Sequence, residues 1–351
     1  MKDKFENIIG QDAAKKKLEF FIDGYDASGI IPHLMFVAPK GSGKTMLAKQ
    51  LGRNLAARHD EERLGRPKKF LEINCSTLKS VKQFFNQIVI PHINEKECTI
   101  LFDEASELPK DVTMALLTVL NPNSDNRTSF SYEDYTVDFD FSRQSFMFAT
   151  TEAQSIFHAL MDRTERVDLE EYSYNELGKI VARVCEGKTF EEGVLDEIAT
   201  TLRGNARAAQ KMANNIAIFL KSKRKKNFTK KHWLELKDHL GVRPLGLNAI
   251  EVQVLRHLSE KKDCSLTYLS AKTQLSKACL QRDFEMYLQK MNLMEITTAG
   301  RAITTKGQKY LESEKGRVSW SKDSKYCWVG YPAPRGSSRD FCLSPRWPSF
   351  F

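Results

Sequence analysis

The sequence has no apolar run long enough to cross a membrane and no cysteine pair at metal-binding spacing. A transmembrane helix needs about 20 consecutive apolar residues, and here the hydrophobic 41% is spread along the chain. The seven cysteines occur without C-x-x-C pairs. The start, MKDKFENIIG, has no apolar core behind its lysines, so it does not predict a signal peptide. These absences favour a cytoplasmic protein with reduced thiols.

Basic residues are concentrated in the second half of the chain. The formal net charge is +9, but residues 1–168 hold 22 Lys+Arg against 25 Asp+Glu, while residues 169–351 hold 32 against 20. Such an excess suits a polyanion such as DNA, and a solvated lysine surface explains it equally well. The same alternatives stay open for residues 221–231, KSKRKKNFTKK, of which seven are basic.

The stretch HLMFVAPKGSGKT, residues 33–45, indicates a phosphate-binding loop. The β-prone residues LMFV (34–37) precede the glycine-rich turn, and a segment with helical spacing of apolar residues follows it. Strand, glycine loop and helix form the context that such a loop requires. Ala38 replaces the first glycine of the usual GxxxxGK[ST] pattern, at the strand end of the loop, where we expect a methyl group to be tolerated.

The glycines, the lysine and the threonine of this loop have separate expected roles. Gly41 and Gly43 allow the backbone to curl, so that successive N–H groups face phosphate oxygens at the positive end of the next helix. We expect Lys44 to reach the β- and γ-phosphates and Thr45 to place its hydroxyl on Mg²⁺. ATP and Mg²⁺ are therefore the predicted cofactors.

A second element, CTILFDEASEL (98–108), is an apolar strand that ends in two acidic residues. We expect Asp103 to hold the water shell of Mg²⁺ and Glu104 to polarise the attacking water. An acidic pair after apolar residues is common on its own. Combined with GSGKT, it predicts a P-loop NTPase.

Further stretches follow in the order of an AAA+ ATPase. They are SFMFATTEA (145–153), LMDRTERVDL (160–169), RGNARAAQKM (203–212), GLNAIEVQVL (246–255) and YLQKMNLMEITTAGRAITTKG (287–307). With FENIIGQ near the start and the two nucleotide motifs, this order over about residues 5–312 resembles the RuvB family, the bacterial Holliday-junction branch-migration motors.

The resemblance implies roles that no local pattern assigns. Thr151 is implied as the first sensor, which positions the lytic water, with Thr150 as the alternative. Arg163 is implied as the finger that a neighbouring subunit inserts against the γ-phosphate, and Arg207 as the second sensor, reaching down from a lid. The other implied nucleotide contacts are Ile8, Ile9 and Gly10 at the adenine pocket and Lys40, Ser42 and Met46 in the loop.

The fold class that follows is an α/β P-loop NTPase (AAA+) core with a parallel sheet, then a small helical lid and a C-terminal winged helix. The expected boundaries are 1–168 for the core, 169–243 for the lid and 244–313 for the winged helix. Residues 314–351 match nothing in the family and lack clear periodicity from residue 316, so we expect a disordered tail. A finger supplied in trans implies a homo-oligomer, expected to be a hexameric ring.

The winged-helix stretch carries the expected DNA contacts. Lys277 and Gln281 fall on the open face of the helical segment 276–291, toward a DNA groove. We expect Arg301, which matches the wing arginine of the family, and Lys306 to be free to meet phosphates or the minor groove. The residues expected to face inward are Leu280, Phe284, Tyr287, Leu288 and Met291.

One departure from the family concerns partners. The stretch TSFSYEDYTVDFDF (128–141) predicts a hairpin with an acidic turn at Glu133-Asp134. In the family, a longer and more apolar hairpin contacts the junction-recognising protein RuvA. We therefore take 128–141 as the place for a junction-recognition partner, without carrying over the contact itself.

The favoured function is an ATP-driven motor that moves duplex or four-way junction DNA. The alternative is a clamp-loader-like or initiator-like ATPase switch in DNA replication. FLEINCST (70–77) resembles a clamp-loader segment in which Asn74 would restrain the catalytic glutamate. Clamp loaders end in a helical collar, however, whereas initiator ATPases carry a winged helix, as this chain is expected to do.

Overall fold

The structure is a computed structural model that describes residues 4–58, 68–94, 96–120, 127–132, 135–141, 144–261 and 263–320. The chain divides into two compact units, Met1–Asn248 and Ala249–Phe351. The first unit holds the expected nucleotide core and lid together, and the second holds the winged helix. The division between core and lid at residue 168 stays a prediction.

A five-stranded parallel sheet forms the centre of the first unit, in the order β2-β3-β6-β1-β7. These strands are β1 (Leu34–Val37), β2 (Lys69–Asn74), β3 (Cys98–Asp103), β6 (Gln144–Thr150) and β7 (Glu165–Asp168). Because parallel strands end at one edge, the ends of β1, β3 and β6 meet there, with Val37 beside Thr150 and Asp103 beside Ala149. The predicted parallel sheet is confirmed.

Alternating side chains of these strands feed two apolar clusters, one on each face of the sheet. Phe102 and Phe148 belong to one cluster and stack with ring centroids 5.1 Å apart. Phe36 and Met147 belong to the other, which also holds apolar residues of the first two helices. Strand β6 is buried along its whole length, as expected for a strand covered on both faces.

Among the described residues, five helices accompany the sheet. They are α1 (Asp12–Ser28), α2 (Lys44–Arg58), α3 (Val81–Phe84, continued by a π-helix over Phe85–Ile93), α4 (Lys110–Val119) and α5 (His158–Met161). Between α4 and β6, strands β4 (Arg127–Tyr132) and β5 (Tyr135–Asp140) pair antiparallel. The predicted hairpin is confirmed, and its turn at Glu133-Asp134 lies outside the described residues.

The lid segment is helical, as predicted. Its helices are α6 (Tyr174–Val184), α7 (Val194–Ala199), α8 (Ala206–Ser222) and α9 (Lys230–His239), with a small parallel pair of β8 (Thr189–Phe190) and β9 (Asn227–Phe228). Ser173 and Glu176 form a capping box at the start of α6. A separate apolar cluster, which includes Trp233, holds these helices together.

The second unit has the predicted order of helices followed by a hairpin. Its elements are α10 (Ala249–Glu260), α11 (Leu266–Thr273), α12 (Lys277–Cys279, continued by a π-helix over Leu280–Glu285), α13 (Met286–Lys290), β10 (Met294–Thr297), β11 (Gly300–Ile303) and α14 (Thr305–Trp320). Leu280 and Leu288 are fully buried, and Phe284, Tyr287 and Met291 are partly buried, so the predicted inward set is confirmed.

Two details of this unit concern its hairpin and its last helix. Gly300 begins β11, and its φ of 148° lets the backbone approach the carbonyl oxygen of Cys264. Helix α14 continues to Trp320 and so includes residues 314–320, the first part of the predicted tail. The rest of the predicted tail lies outside the described residues.

Within the described ranges, no helix is long and apolar enough to cross a membrane. The five described cysteines are all free, and four of them are buried. Burial raises the pKa of the Cys98 thiol to about 12 and also raises the pKa of the Cys185 thiol. Both thiols therefore stay protonated at neutral pH and do not act as nucleophiles.

Candidate nucleotide site and DNA-facing surface

A cavity of about 780 Å³ lies in the first unit, at the edge where β3 and β6 end. It brings together residues from the chain start, the glycine loop, the two strand ends and the lid. The predicted site residues that line it are Ile8, Ile9, Lys40, Gly41, Gly43, Lys44, Thr45, Met46, Asp103, Glu104, Thr151 and Arg207.

The glycine loop has the backbone that its sequence requires. Gly41 has a φ of 84° and Gly43 a φ of 94°, conformations that other residues rarely adopt. Ala38 is buried in the apolar cluster shared with β1, and its N–H donates to the carbonyl of Thr150 at 3.3 Å. The expectation that a methyl group is accommodated there is confirmed.

Lys44 turns back onto the loop. Its Nζ donates to the carbonyl oxygen of Ala38 at 2.7 Å and to that of Pro39 at 3.1 Å. Burial lowers the pKa of Lys44, the nearby Asp103 carboxylate opposes this shift, and the Arg207 guanidinium adds to it. A partly desolvated ammonium beside a second cation is poised to bind an anion, because phosphate oxygens offer both charges a counterion.

Thr45 and Asp103 form the pair expected to hold the metal. The Thr45 hydroxyl donates to Asp103 Oδ2 at 2.9 Å. Among the described residues, no group of three or more His, Cys, Asp and Glu side chains forms a metal site. One hydroxyl and one carboxylate, completed by phosphate and water oxygens, is the donor set that Mg²⁺ prefers in nucleotide sites, so these residues fit the ion.

Glu104 stands at the end of β3 in a strained conformation. Its φ of 57° is in the left-handed region, which is unusual for a glutamate, and its N–H donates to Asp103 Oδ1 at 3.1 Å. The side chain is exposed and lines the cavity. Glu104 therefore lines the same cavity as Thr45 and Asp103, and its role as general base stays a prediction.

Thr150 and Thr151 both line the cavity, so the choice of first sensor stays open. Thr150 is 1% exposed, and its hydroxyl oxygen already accepts the N–H of Glu152 at 3.0 Å. Thr151 is exposed. Its hydroxyl is therefore the more accessible one for a water, which favours the first choice made from the sequence.

The lid side of the cavity contains residues that the sequence reasoning missed. Arg207 reaches the cavity from the first turn of α8, as predicted, and it is joined by Tyr172, Ile180, Arg183, Val184, Ala206 and Gln210. These residues are adjacent only after α6 and α8 pack together. The sequence revealed neither this packing nor which faces of the two helices line the cavity.

Two predicted nucleotide contacts, Gly10 and Ser42, are not among the residues that line the cavity. Gly10 has a φ of 67° and lies against the side chains of Glu176 and Tyr172. Ser42 is 3% exposed, and its hydroxyl donates to the carbonyl of Pro39 at 2.9 Å, which shapes the loop. A contact of either residue with a nucleotide stays a prediction.

Arg163 does not line the cavity of its own chain. Its Nη1 donates to the carbonyl of Ala159 at 2.9 Å, and its Nε is buried with no hydrogen-bond partner among the described residues. A role in the site of a neighbouring subunit stays a prediction.

The expected DNA contacts of the second unit differ in accessibility. Lys277 and Gln281 are exposed in the segment from α12 into the π-helix. Lys306 is also exposed, although its Nζ donates to the carbonyl of Met291 at 2.9 Å. These three side chains remain available for phosphates or bases.

Arg301 is not free, contrary to expectation. Its Nε and Nη2 donate to the two carboxylate oxygens of Glu285 at 3.0 and 3.2 Å. The side chains of Arg301 and Glu285 are 14% and 2% exposed. A buried carboxylate needs a paired cation, so Arg301 ties the wing strand β11 to the helical segment before α13.

We expect Arg301→Gln to destabilise the second unit by about 3–5 kcal/mol, because it leaves the Glu285 carboxylate buried without a counterion. Thermal unfolding of the full chain by circular dichroism measures this loss. The double variant Arg301→Gln with Glu285→Gln should recover much of it, since the buried charge is gone. Unchanged unfolding in the single variant, with weaker DNA binding, would instead make Arg301 a phosphate contact.

The structure also shows the surroundings of the basic segment 221–231 and of Asn74. The basic residues of 221–231 are exposed, and Lys223 pairs with Glu235 at 2.5 Å. This exposure is compatible with a DNA-contacting surface and with a solvated lysine surface. The oxygen Oδ1 of Asn74 accepts from the N–H and the hydroxyl of Ser76, at 3.0 and 2.8 Å. The clamp-loader reading requires a contact between Asn74 and Glu104, and none of the described hydrogen bonds joins these two residues.

Two family models match the chain. The model of the ATPase family associated with various cellular activities (AAA) matches residues 34–173, and that of the RuvB C-terminal winged helix domain matches residues 244–312. Together they cover the glycine loop, β3, β6, Arg163 and the wing.

Two curated relatives and one solved structure that resemble this chain carry the name RuvB. A Holliday junction branch migration complex subunit RuvB of Campylobacter jejuni subsp. doylei is 26% identical, over 88% of this chain and 90% of that protein. The protein of the same name from Wolbachia sp. subsp. Brugia malayi is 24% identical, over 88% and 92%. The solved Thermotoga maritima RuvB Holliday junction branch migration motor matches with a TM-score of 0.69 at 20% identity, over 88% of this chain and 97% of that one, which shows a shared fold. The AAA match over residues 34–173, the RuvB-type winged-helix match over residues 244–312 and relatives aligned over almost their whole length support membership of this chain in the RuvB family.

Proposed function

We propose that this chain is an ATP-driven DNA motor, which hydrolyses ATP between the subunits of a ring and moves duplex or four-way junction DNA with its winged helix. The observation that carries the proposal is the nucleotide cavity. Lys44, Thr45, Asp103 and Glu104 of the core and Arg207 of the lid all line it, and these residue types supply the part of phosphoryl transfer to water that one subunit can provide.

Each residue of the set has a defined task. Lys44 leaves the loop carbonyls for the phosphates, because a phosphate anion attracts an ammonium more strongly than neutral carbonyl groups do. Thr45 and Asp103 hold Mg²⁺, which neutralises charge on the phosphates when it is bound. Glu104 accepts a proton from the attacking water, and Thr151 or Thr150 orients that water. Arg207 binds the nucleotide from α8 and so couples lid position to its state.

The remaining cation comes from a neighbouring subunit. Arg163 is outside the cavity of its own chain, whereas the γ-phosphate needs a cation to stabilise the charge that develops on it. In a closed ring each Arg163 serves the next site. The hairpin β4–β5 is the proposed contact for a junction-recognition partner.

The functional test is movement of a synthetic four-way junction by the purified protein, with and without ATP. Conversion to duplex products only with hydrolysable ATP supports the motor. DNA-stimulated hydrolysis without movement, together with binding to a sliding clamp, supports the loader instead. The loader reading has less support because Asn74 is engaged with Ser76, and because the chain ends in a RuvB-type winged helix.

Lys277→Gln should weaken DNA binding about equally for all sequences. It should also reduce the slope of log affinity against log salt by about one, because one phosphate contact is lost. Fluorescence anisotropy with a labelled duplex at several salt concentrations measures this slope. Lys309→Gln is the matched control: Lys309 is exposed on α14 and loses the same charge. Equal slopes for Lys277→Gln and the wild type would remove Lys277 from the interface.

A further inference from the structure

Asn205 joins the lid to the glycine loop through a single side chain. Its Nδ2 donates to the carbonyl oxygen of Lys40 at 2.9 Å. Its Oδ1 accepts the N–H of Ala208 at 3.1 Å and so caps helix α8. The amide therefore uses its donor on the loop and its acceptor on the helix that carries Arg207.

The contact requires the glycine at position 41. A methyl group on Gly41 would lie 2.2 Å from Asn205 Oδ1 and 2.5 Å from its Nδ2, too close for any side chain. Gly41 therefore has two reasons to be glycine, since its φ of 84° also disfavours other residues. The glycine loop and the Asn205 cap of α8 are therefore in close contact at Gly41.

The bond to Lys40 also orients a peptide group. In a trans peptide the carbonyl and the next N–H point in opposite directions, and the described chain contains no cis peptide bond. Holding the Lys40 carbonyl toward Asn205 therefore directs the Gly41 N–H away from the lid residue. Among the described residues no hydrogen bond uses this N–H, and Gly41 lines the cavity, so the N–H is available to a phosphate oxygen.

The positive charges around Asn205 favour a contact between loop and lid that carries no charge of its own. Lys44, Arg207 and the N-terminal ends of α2 and α8 all bring positive potential to the same place. These groups repel each other until an anion is present. An amide hydrogen bond holds loop and lid together without adding charge.

We infer that Asn205 is a positioning residue for ATP hydrolysis, which fixes the Lys40–Gly41 peptide for phosphate binding and links that peptide to the helix of Arg207. This inference rests on the proposed ATPase function. The residue acts through the loop and through α8, and it need not touch the nucleotide itself.

Four variants of the full chain separate this role from helix capping. Asn205→Ser and Asn205→Asp keep an oxygen for the cap but lose the amide donor, and together they separate loss of the donor from added charge. Asn205→Ala loses both. Thr229→Ala is the matched control, because Thr229 caps α9 of the same lid by accepting the N–H of His232. Of the described side-chain hydrogen bonds, those of Thr229 do not reach the loop.

The readouts are steady-state hydrolysis, titration with a fluorescent ATP analogue, and thermal unfolding. Asn205→Ser and Asn205→Asp should both lose about tenfold in kcat and about threefold in affinity for the analogue, with nearly unchanged unfolding. Thr229→Ala should unfold earlier and keep its kcat per folded molecule. Wild-type kcat and affinity in both Asn205→Ser and Asn205→Asp would overturn the inference. A wild-type protein that hydrolyses no ATP would overturn the proposed function, and the affinity titration would still decide the role of Asn205.

Discussion

Arg163→Ala is expected to bind ATP as the wild type does and to lose about 10³-fold in kcat, the usual contribution of an arginine finger. Binding persists because Arg163 lies outside the cavity of its own chain. Hydrolysis fails because the charge that develops on the γ-phosphate has lost its stabilising cation. Titration with a fluorescent ATP analogue and steady-state phosphate release measure the two effects separately.

The control for this experiment is Arg166→Ala. Arg166 is an exposed arginine of β7 that pairs with Asp168 at 2.8 Å, so the variant removes the same charge from the same part of the sheet. It should hydrolyse ATP normally. Full hydrolysis by Arg163→Ala would end the finger assignment, and loss of hydrolysis in both variants would point to a general effect of charge at this edge.

Glu104→Gln should also bind ATP and lose hydrolysis, by about 10²–10⁴-fold, because an amide cannot accept the proton of the attacking water. The amide has nearly the same shape, so the kinked end of β3 should persist. Single-turnover hydrolysis with excess protein measures the chemical step. Glu107→Gln, at an exposed acid that also lines the cavity, is the control and should retain most activity.

Mixing the two inactive variants tests whether the site is shared between subunits. In a ring with random composition, about one quarter of the sites combine the intact Glu104 of one variant with the intact Arg163 of the other. Hydrolysis should therefore return to about a quarter of the wild-type rate. Rings that form, as measured by mass photometry, and stay inactive would show that the two residues do not act across an interface.

The nucleotide motifs could be predicted from the sequence because each is formed by residues that are neighbours in the chain. A strand, a turn with glycines at two positions and a helix must follow each other in sequence, so GSGKT predicted the cavity at Lys44 and Thr45. Asp103 was readable for a related reason, since an acidic pair at the end of an apolar strand belongs at the carboxyl edge of a parallel sheet. The hydrogen bond from Thr45 to Asp103 confirms that these motifs meet.

The sequence did not reveal contacts whose deciding partner lies on a distant element. Arg301 was expected to meet phosphates, and its pairing with Glu285 was not visible because the two residues lie 16 positions apart and on different elements. Gly10 was placed in the adenine pocket by resemblance, and its contact with Glu176 and Tyr172, set by the packing of α6, was not visible either. In both cases the deciding contact comes from an element that the local pattern does not include.

By itself the sequence determined the class of the molecule: a parallel-sheet nucleotide core, a helical lid and a winged helix. The core follows from apolar periodicity and glycine placement, which act over a few residues, and the lid and the winged helix are implied by the order of motifs that resembles the RuvB family. Only the tertiary structure decided which side chains are available for ligands. Lys44 rests on loop carbonyls, Asn205 spans from lid to loop, and Arg301 is held by Glu285. The physical reason is that a charged or polar group takes the nearest partner that folding brings to it, and that partner is set by packing between distant segments.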